Sequence, residues 1–285
     1  MESIKKNWKT WLVVALILGN ICVWAEIYVR RPSNLLNVYF FDVGQGDSIF
    51  VDTPTHKHIL IDGGSNNRVL SMLGEVLPFG DRKIDVLLAT HPDRDHIGGL
   101  SEVVSRFDVK IFISPGIESP TTVDDELDLS IQREGSQRIL AKRGTTIDFG
   151  DGVKLVLLFP DRDVSDWETN DASIVAKLVY GEHSFLLTGD SSKKTEYLLL
   201  GLNEEVLDST VLKAGHHGSR TSTSLSYAQA VSPEYTIISA GKGNSYGHPH
   251  KEVIDVLNKI GTKILSTFEL GTIRFKTNGE SLEVI

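Results

Sequence analysis

From residue 36 onward the chain alternates short apolar runs with Gly, Asp and Pro, the pattern of strands separated by turns. Residues 36–42, 48–52 and 58–62 read as three strands, the last two joined by the turn Thr53-Pro54-Thr55-His56-Lys57. Helical spacing over 68–77 is followed by a buried-type strand at 84–89, a helix over 97–107 and a strand at 110–114. Residues 116–144 are polar, acidic early and helically spaced later (Leu127, Ile131, Ile139, Leu140), as in an insertion or lid. The strand pattern resumes from Thr146, with runs at 153–158, 173–180, 184–188, 209–213 and 235–239. Helices are predicted at 195–200 and 251–260, and short strands at 263–266, 272–276 and 281–285 close the chain. Two strand-rich halves, each with helices, predict an α/β protein of two sheets packed face to face, helices outside.

The first thirty residues follow another rule. An apolar segment, residues 11–25, is preceded by Lys5, Lys6 and Lys9 and followed by Glu26, Arg30 and Arg31. As a helix it rises about 23 Å against a hydrocarbon core of roughly 30 Å. Snorkelling lysines, with Trp8, Trp11, Trp24 and Tyr28 at the interfaces, make up the difference. This reading gives a cytoplasmic tail, a transmembrane anchor at about 8–29 and a linker within residues 1–31, then one domain over 32–285. Cleavage as a signal peptide near Val23-Trp24-Ala25 is the rival reading. Both place residues 32–285 outside the cytoplasm, because three lysines on the N-terminal side outweigh two arginines beyond. The expected location is the cell membrane, single-pass.

Composition narrows the picture modestly. A 40% hydrophobic content supports a packed core, and a formal net charge of -9 argues against a surface that coats nucleic acid throughout. Cys22, the only cysteine, excludes an intramolecular disulfide and a cysteine-rich zinc site.

The chemistry is concentrated at strand ends. His91, Asp93, Asp95 and His96 fall within six residues directly after the strand at 84–89. Imidazole and carboxylate together bind divalent first-row metals and activate water. Further candidates recur after other strands: Asp62 before Gly63-Gly64, Asp190 after Leu187-Thr188-Gly189, the pair His216-His217, and His248 and His250 before the helix at 251. Bland readings stand beside these. Asp93 and Asp95 also suit a helix N-terminus, and Asp190 a turn. Gly247-His248-Pro249-His250 suits a turn and cap, and Asp47 either stabilises a loop or approaches the metals. His56 and His58 have ligand spacing but fall on a hairpin tip. Lys213, Arg220 and Lys242 form either a phosphate-facing patch or ordinary solvated surface.

Taken in order, the motifs resemble the metallo-β-lactamase superfamily and, more narrowly, the hydrolase domain of ComEC-like competence proteins. The pieces are Phe41-Asp-Val-Gly-Gln-Gly-Asp-Ser48, Asp62-Gly-Gly64, the His91 to Gly99 cluster, Asn170-Asp-Ala-Ser173, Leu187-Thr-Gly-Asp190, Lys213 to Ser219 and Gly247-His-Pro-His250. The resemblance implies a four-layer αβ/βα sandwich with two divalent metal ions, Zn or Mn, at one edge. It assigns His91 and Asp93 to one metal, Asp95 and His96 to the other, and Asp190 as the bridge. His216 or His217 completes the second site, Asp62 orients ligands, and His248 and His250 contact phosphate or leaving group. Asp93 stands where most of the superfamily has His, which tilts preference toward manganese. No histidine occupies the usual place for the first metal's third ligand; Asn170 or Asp171 are the substitutes.

The resemblance implies hydrolysis of a phosphodiester by a metal-bridging hydroxide, with Asp95, Asp190 and His248 at the reacting centre and extracytoplasmic nucleic acid as substrate. Complete ComEC proteins also carry a multi-helix channel, so the resemblance leaves open action beside a separate DNA-uptake channel, scavenging of environmental nucleic acid, or action on another substrate. The alternatives are hydrolysis of another ester, phosphocholine or a lactone, and a non-catalytic metal-binding module.

Overall fold

The computed structural model describes residues 7–29, 31–202 and 204–285, and for Cys22, residues 25–29 and 204–205 the backbone alone. Lys5, Lys6 and Arg30, used in the topology argument, lie outside the described residues, as do the side chains of Glu26 and Tyr28. Contacts divide the chain into two units, Met1–Ser33 and Asn34–Ile285.

The first unit holds, among the described residues, the helix Trp8–Val29. Among the described residues no helix is long and apolar enough to cross a membrane.

The second unit contains two sheets. In the first, β1 (Leu36–Phe40), β2 (Ile49–Asp52), β3 (His58–Ile61), β4 (Lys83–Leu88), β5 (Asp108–Ser114) and β6 (Gln137–Leu140) lie in chain order. The second runs from β7 (Thr146–Asp148) through β8 (Lys154–Phe159), β9 (Val175–Tyr180), β10 (His183–Leu187), β11 (Val211–Lys213) and β12 (Tyr235–Ile238) to β13 (Lys263–Ser266). The chain then returns to the first sheet, where β14 (Ile273–Thr277) pairs with β1 and β15 (Leu282–Val284) with β14.

Strand alternation dictates the layers. Val38, Phe40, Ile59, Ile61, Val86 and Leu88 of the first sheet share one buried cluster with Leu155, Phe185, Leu187, Val211 and Ile237 of the second. The intervening Leu60 and Leu87 instead pack outward against Val69, Leu73, Leu100, Leu127 and Ile131, which lie on helices. Leu186 and Leu212 do the same on the far side against Leu199, Tyr227 and Val231. Both faces of each sheet are therefore apolar, and the order is helix, sheet, sheet, helix.

Two elements depart from the sequence pattern. The helix expected over 97–107 is broken at Gly98-Gly99 into Arg94–Ile97 and Leu100–Val104. A Cβ at Gly98 would lie 2.5 Å from the Ser65 carbonyl oxygen, so the chain needs glycine to pass there. In the 116–144 stretch, Leu127 and Ile131 lie on the helix Thr122–Glu134, but Ile139 and Leu140 form β6 at the sheet edge.

Candidate metal centre

β3 and β4 run parallel, as do β10, β11 and β12, so their C-terminal ends deliver Asp62, His91, Asp190, His216-His217 and Ser239 to one edge. Binding sites form where parallel strands end, because loops there are held by the rigid sheet below. The two sheets contribute together. Asp47 joins them from the loop before β2, where Gly46 at φ +112 lies so close to Asp95 that a Cβ would sit 1.9 Å from its carbonyl oxygen.

The centre is built around Asp190, which is buried. Its Oδ1 is 3.2 Å from His96 Nε2, and its Oδ2 is 3.2 Å from His217 Nε2 and 3.7 Å from His216 Nε2. His96 Nε2 and His217 Nε2 are 3.3 Å apart, and Asp95 Oδ2 is 3.3 Å from His217 Nε2. Four donors around a tetrahedral ion with bonds of about 2.0–2.2 Å lie about 3.3–3.6 Å from one another. His96, Asp190 and His217 therefore have the spacing of a ligand set, with Asp95 beside it through His217.

The opposite ring nitrogens fix the tautomers. His217 Nδ1 donates to the Ser239 carbonyl at 2.9 Å, and His96 Nδ1 donates to Asp62 Oδ2 at 2.7 Å. Thr90 Oγ1 donates to Asp62 Oδ2 at 2.7 Å, so its lone pair accepts from His91 Nδ1 at 3.0 Å. Each ring is thereby turned with Nε2 toward the centre. His91 Nε2 and Asp190 Oδ1 are buried without a hydrogen-bond partner, positions that suit donors to an ion. Asp62, His216 and His217 hold positive φ of 60°, 47° and 54°. Left-handed backbone at non-glycine residues costs about 1–3 kcal/mol each and collects at functional sites.

His91 Nε2 lies 3.6 Å from Asp93 Oδ2. Asp93 begins the helix Arg94–Ile97 but makes no side-chain capping bond, so its carboxylate is not spent on the helix end. Asp171 is committed elsewhere: it accepts from Ser192 Oγ and from Lys194 Nζ at the start of the helix Lys193–Leu199. It is therefore removed as a substitute ligand. Asn170 Nδ2 stands 3.5 Å from His216 Nδ1 and its Oδ1 is buried without a partner. His183 opens β10, at the opposite end of that strand from Asp190.

Beneath the centre is an ion pair that the sequence pattern places differently. Lys213, expected on a surface patch, is fully buried, with Nζ 2.5 Å from Asp47 Oδ2, 3.0 Å from the Gly189 carbonyl and 3.7 Å from Asp190 Oδ1. Asp47 Oδ1 in turn lies 3.4 Å from His217 Nδ1. Asp47, His96, Asp190 and His217 place donor atoms within 4.8 Å of one another. With Oδ2 bonded to Lys213, Asp47 backs the imidazole rather than facing the other donors.

Electrostatics agree with this arrangement. Burial alone would raise the Asp190 carboxyl, but the His217 and His96 imidazoles outweigh it and hold it well below the usual range. Burial would likewise lower His96 and His217; Asp190 and Asp62 for the first, Asp190 and Asp47 for the second, hold both well above the ordinary histidine value. Both rings are thus biased toward holding a proton that an ion must displace. Affinity for a divalent ion is expected to rise by up to ~100-fold per pH unit between pH 6 and 8, reflecting about two protons released. Competition with a chelator at fixed pH values measures this, and a flat profile would count against His96 and His217 as ligands.

At the rim, His248 is half-buried, its ring 5.4 Å from that of His216 and 5.0 Å from that of His250. Burial, then His216, His217 and His250, push its pKa down to about 4. Asn244 holds the loop, its Oδ1 accepting from the His248 N–H and its Nδ2 donating to the His248 carbonyl. The Arg220 N–H donates to His250 Nδ1 at 3.2 Å. On the other side, past His91 and Pro92, opens a cleft of about 990 Å³ lined by Glu118, Asp124, Asp125, Asp128 and Arg138.

Residues 41–242 match the family model of the metallo-β-lactamase superfamily. The chain belongs to the metallo-β-lactamase superfamily. Its relatives include ComE operon protein 3 of Bacillus subtilis (strain 168), 32% identical over 256 residues, 84% of this chain and 33% of that protein. Competence protein ComA of Neisseria gonorrhoeae is 33% identical over 248 residues, 86% of this chain and 33% of that protein. The chain thus spans about a third of the length of these relatives. They are ComEC-like, as the motif order implies. Among solved structures, a metallo hydrolase from Ignicoccus hospitalis has a TM-score of 0.50 at 17% identity, over 85% of this chain and 98% of that one. CmlA, a diiron β-hydroxylase from Streptomyces venezuelae, has a TM-score of 0.55 at 16% identity, over 85% and 54%. These likenesses extend to the fold. Within a superfamily of shared fold, the chemistry has to be argued from the site.

Proposed function

We propose that residues 34–285 form a metal-dependent phosphodiesterase whose substrate is nucleic acid. The observation that carries this reading is the convergence of His96, Asp190 and His217 within 3.2–3.3 Å of one another, with Asp95 Oδ2 3.3 Å from His217 Nε2 and the orienting bonds of both imidazoles in place. These four would hold one divalent ion; His91 and Asp93 would hold a second, with Asp190 between them and His216 alongside. Bound there, the ions supply Lewis-acid polarisation of a phosphoryl oxygen and acidify water. Three carboxylates among four imidazoles make the donor set harder than an all-histidine one, which shifts preference from zinc toward manganese.

The chain's own residues do the rest. Asp62 and the Ser239 carbonyl keep two imidazoles aimed at the centre. His248, neutral at pH 7 with its lowered pKa, offers a hydrogen bond rather than a charge to a substrate oxygen. Arg220, largely exposed beside His250, supplies the positive charge at that rim. The strand of a polyanion would leave on this side, because the cleft beyond His91 carries four carboxylates against one guanidinium.

That acidic cleft also favours a second reading, a phosphodiester with a cationic leaving group such as phosphocholine. One comparison tests both: the full chain with manganese or zinc, given labelled single-stranded DNA, RNA, bis-p-nitrophenyl phosphate and a phosphocholine ester. Metal-dependent cleavage of DNA or RNA is expected. Intact nucleic acid alongside cleaved phosphocholine ester would transfer the assignment to the second reading, and no cleavage of any of them would leave a binding module.

We also propose that the helix Trp8–Val29 holds the domain at the outer face of the cell membrane, supported by exposed Trp11, Leu12, Leu16, Ile17 and Ile21. Protease added outside intact cells should then digest the domain; full protection would reverse the topology.

A further inference from the structure

The turn between β2 and β3 carries a second cluster of metal-ligating side chains. Asp52 closes β2 and His58 opens β3 as directly opposed cross-strand partners. His56 sits on the turn between them at φ +55, which brings its ring back over Asp52. His56 Nδ1 is 3.0 Å and His58 Nε2 3.5 Å from the same atom, Asp52 Oδ1, and donor atoms of all three lie within 4.8 Å of one another. Donors on an ion with bonds of about 2.0–2.2 Å have such separations, to within a few tenths of an ångström.

The strongest element is His58. Its Nδ1 lies 3.0 Å from the Lys83 carbonyl, which can only accept, so Nδ1 carries the proton and Nε2 presents its lone pair toward Asp52 in the neutral ring. A ring nitrogen tied to a carbonyl while the other faces the ion is the usual arrangement of a metal-binding histidine. The residue is buried, its ring 5.4 Å from that of Phe50, and its backbone N–H donates to Asp85 Oδ2 at 3.1 Å, so burial and the Lys83 carbonyl hold the ring while Asp85 holds the strand beneath it. Asp52 and His56 are partly exposed, at 21% and 30%, which leaves an ion a way in. β3 separates this cluster from Asp62 at the candidate centre by about 13 Å along the strand.

We infer that Asp52, His56 and His58 form a second divalent-metal site, of the nitrogen-rich kind that takes zinc, nickel or copper, clipping the β2–β3 turn. It is independent of the centre at Asp190 and of the proposed hydrolysis. The competing arrangement is an ion-free ladder of His–Asp hydrogen bonds, and stoichiometry separates the two.

The test is titration of the full chain carrying His96→Ala and His217→Ala with Co²⁺ and Zn²⁺. About one equivalent should bind there, with the visible absorption of four-coordinate Co²⁺, and adding His56→Ala on the partly exposed turn should weaken it ~100-fold. No bound equivalent, or one indifferent to His56→Ala, overturns the site. Should the double variant fail to fold, the parent chain is compared with His56→Ala alone: loss of one zinc equivalent with hydrolysis unchanged is expected, and equal zinc content overturns it.

Discussion

An Asp190→Ala chain is expected to lose metal-dependent hydrolysis by on the order of 10³-fold or more, together with most of its bound metal. One carboxylate faces His96 Nε2 and His217 Nε2 at 3.2 Å each, and His216 Nε2 at 3.7 Å. Without it the two inner imidazoles remain 3.3 Å apart with no anion between them. An ion would then have to be held by His96, His217 and Asp95, and nothing would join that set to His91 and Asp93. Asp190→Asn keeps the shape and removes the charge, so it separates ligation from packing. Both variants are read by metal content after gel filtration and by turnover of bis-p-nitrophenyl phosphate. Turnover at the parent rate in either would remove Asp190 from the centre.

The second large effect is on stability. Lys213→Met is expected to cost about 3–5 kcal/mol, because it strands the buried Asp47 carboxylate beneath the centre. Burial alone would raise the Asp47 carboxyl; the Lys213 ammonium and His217 outweigh it and hold it low. A depressed carboxyl contributes stability that is present above its unfolded pKa, about 3.9, and lost as pH falls through the folded value. The gap between Lys213→Met and parent should therefore be widest near neutral pH and narrow in acid, where Asp47 takes up a proton. Urea unfolding at several pH values measures it. Adding Asp47→Asn to Lys213→Met should recover much of the loss, since removing both charges leaves neither ion unpaired. A single variant as stable as its parent would mean that water reaches Asp47.

The sequence and the fold can be compared residue by residue in this light. Strand positions were legible because Val38, Phe40, Ile59 and Ile61 repeat with the period of a pleat, and the site because Asp62, His91 and Asp190 each follow such a run. Lys213 was not, since a lysine ending a strand reads as solvent-facing, and its burial depends on Asp47, distant in sequence. Neighbouring His216 and His217 could not be told apart either. They separate only through their left-handed backbone, which sends His217 inward and leaves His216 a quarter exposed. Asp171 read as a ligand because its hydrogen bonds to Ser192 and Lys194 join segments that no local spacing connects.

The donor groups come from both sheets: His91 to His96 follow β4, while Asp190 and His217 follow β10 and β11. Neither half of the chain owns a complete set. A bound ion would therefore act as a rivet across the seam, and its binding energy would add to the docking of one half on the other. Loading would then be a late event in assembly, coming after the halves have met. A chain interrupted in the connection between β6 and β7 would carry two inert pieces whose reunion the metal itself could report.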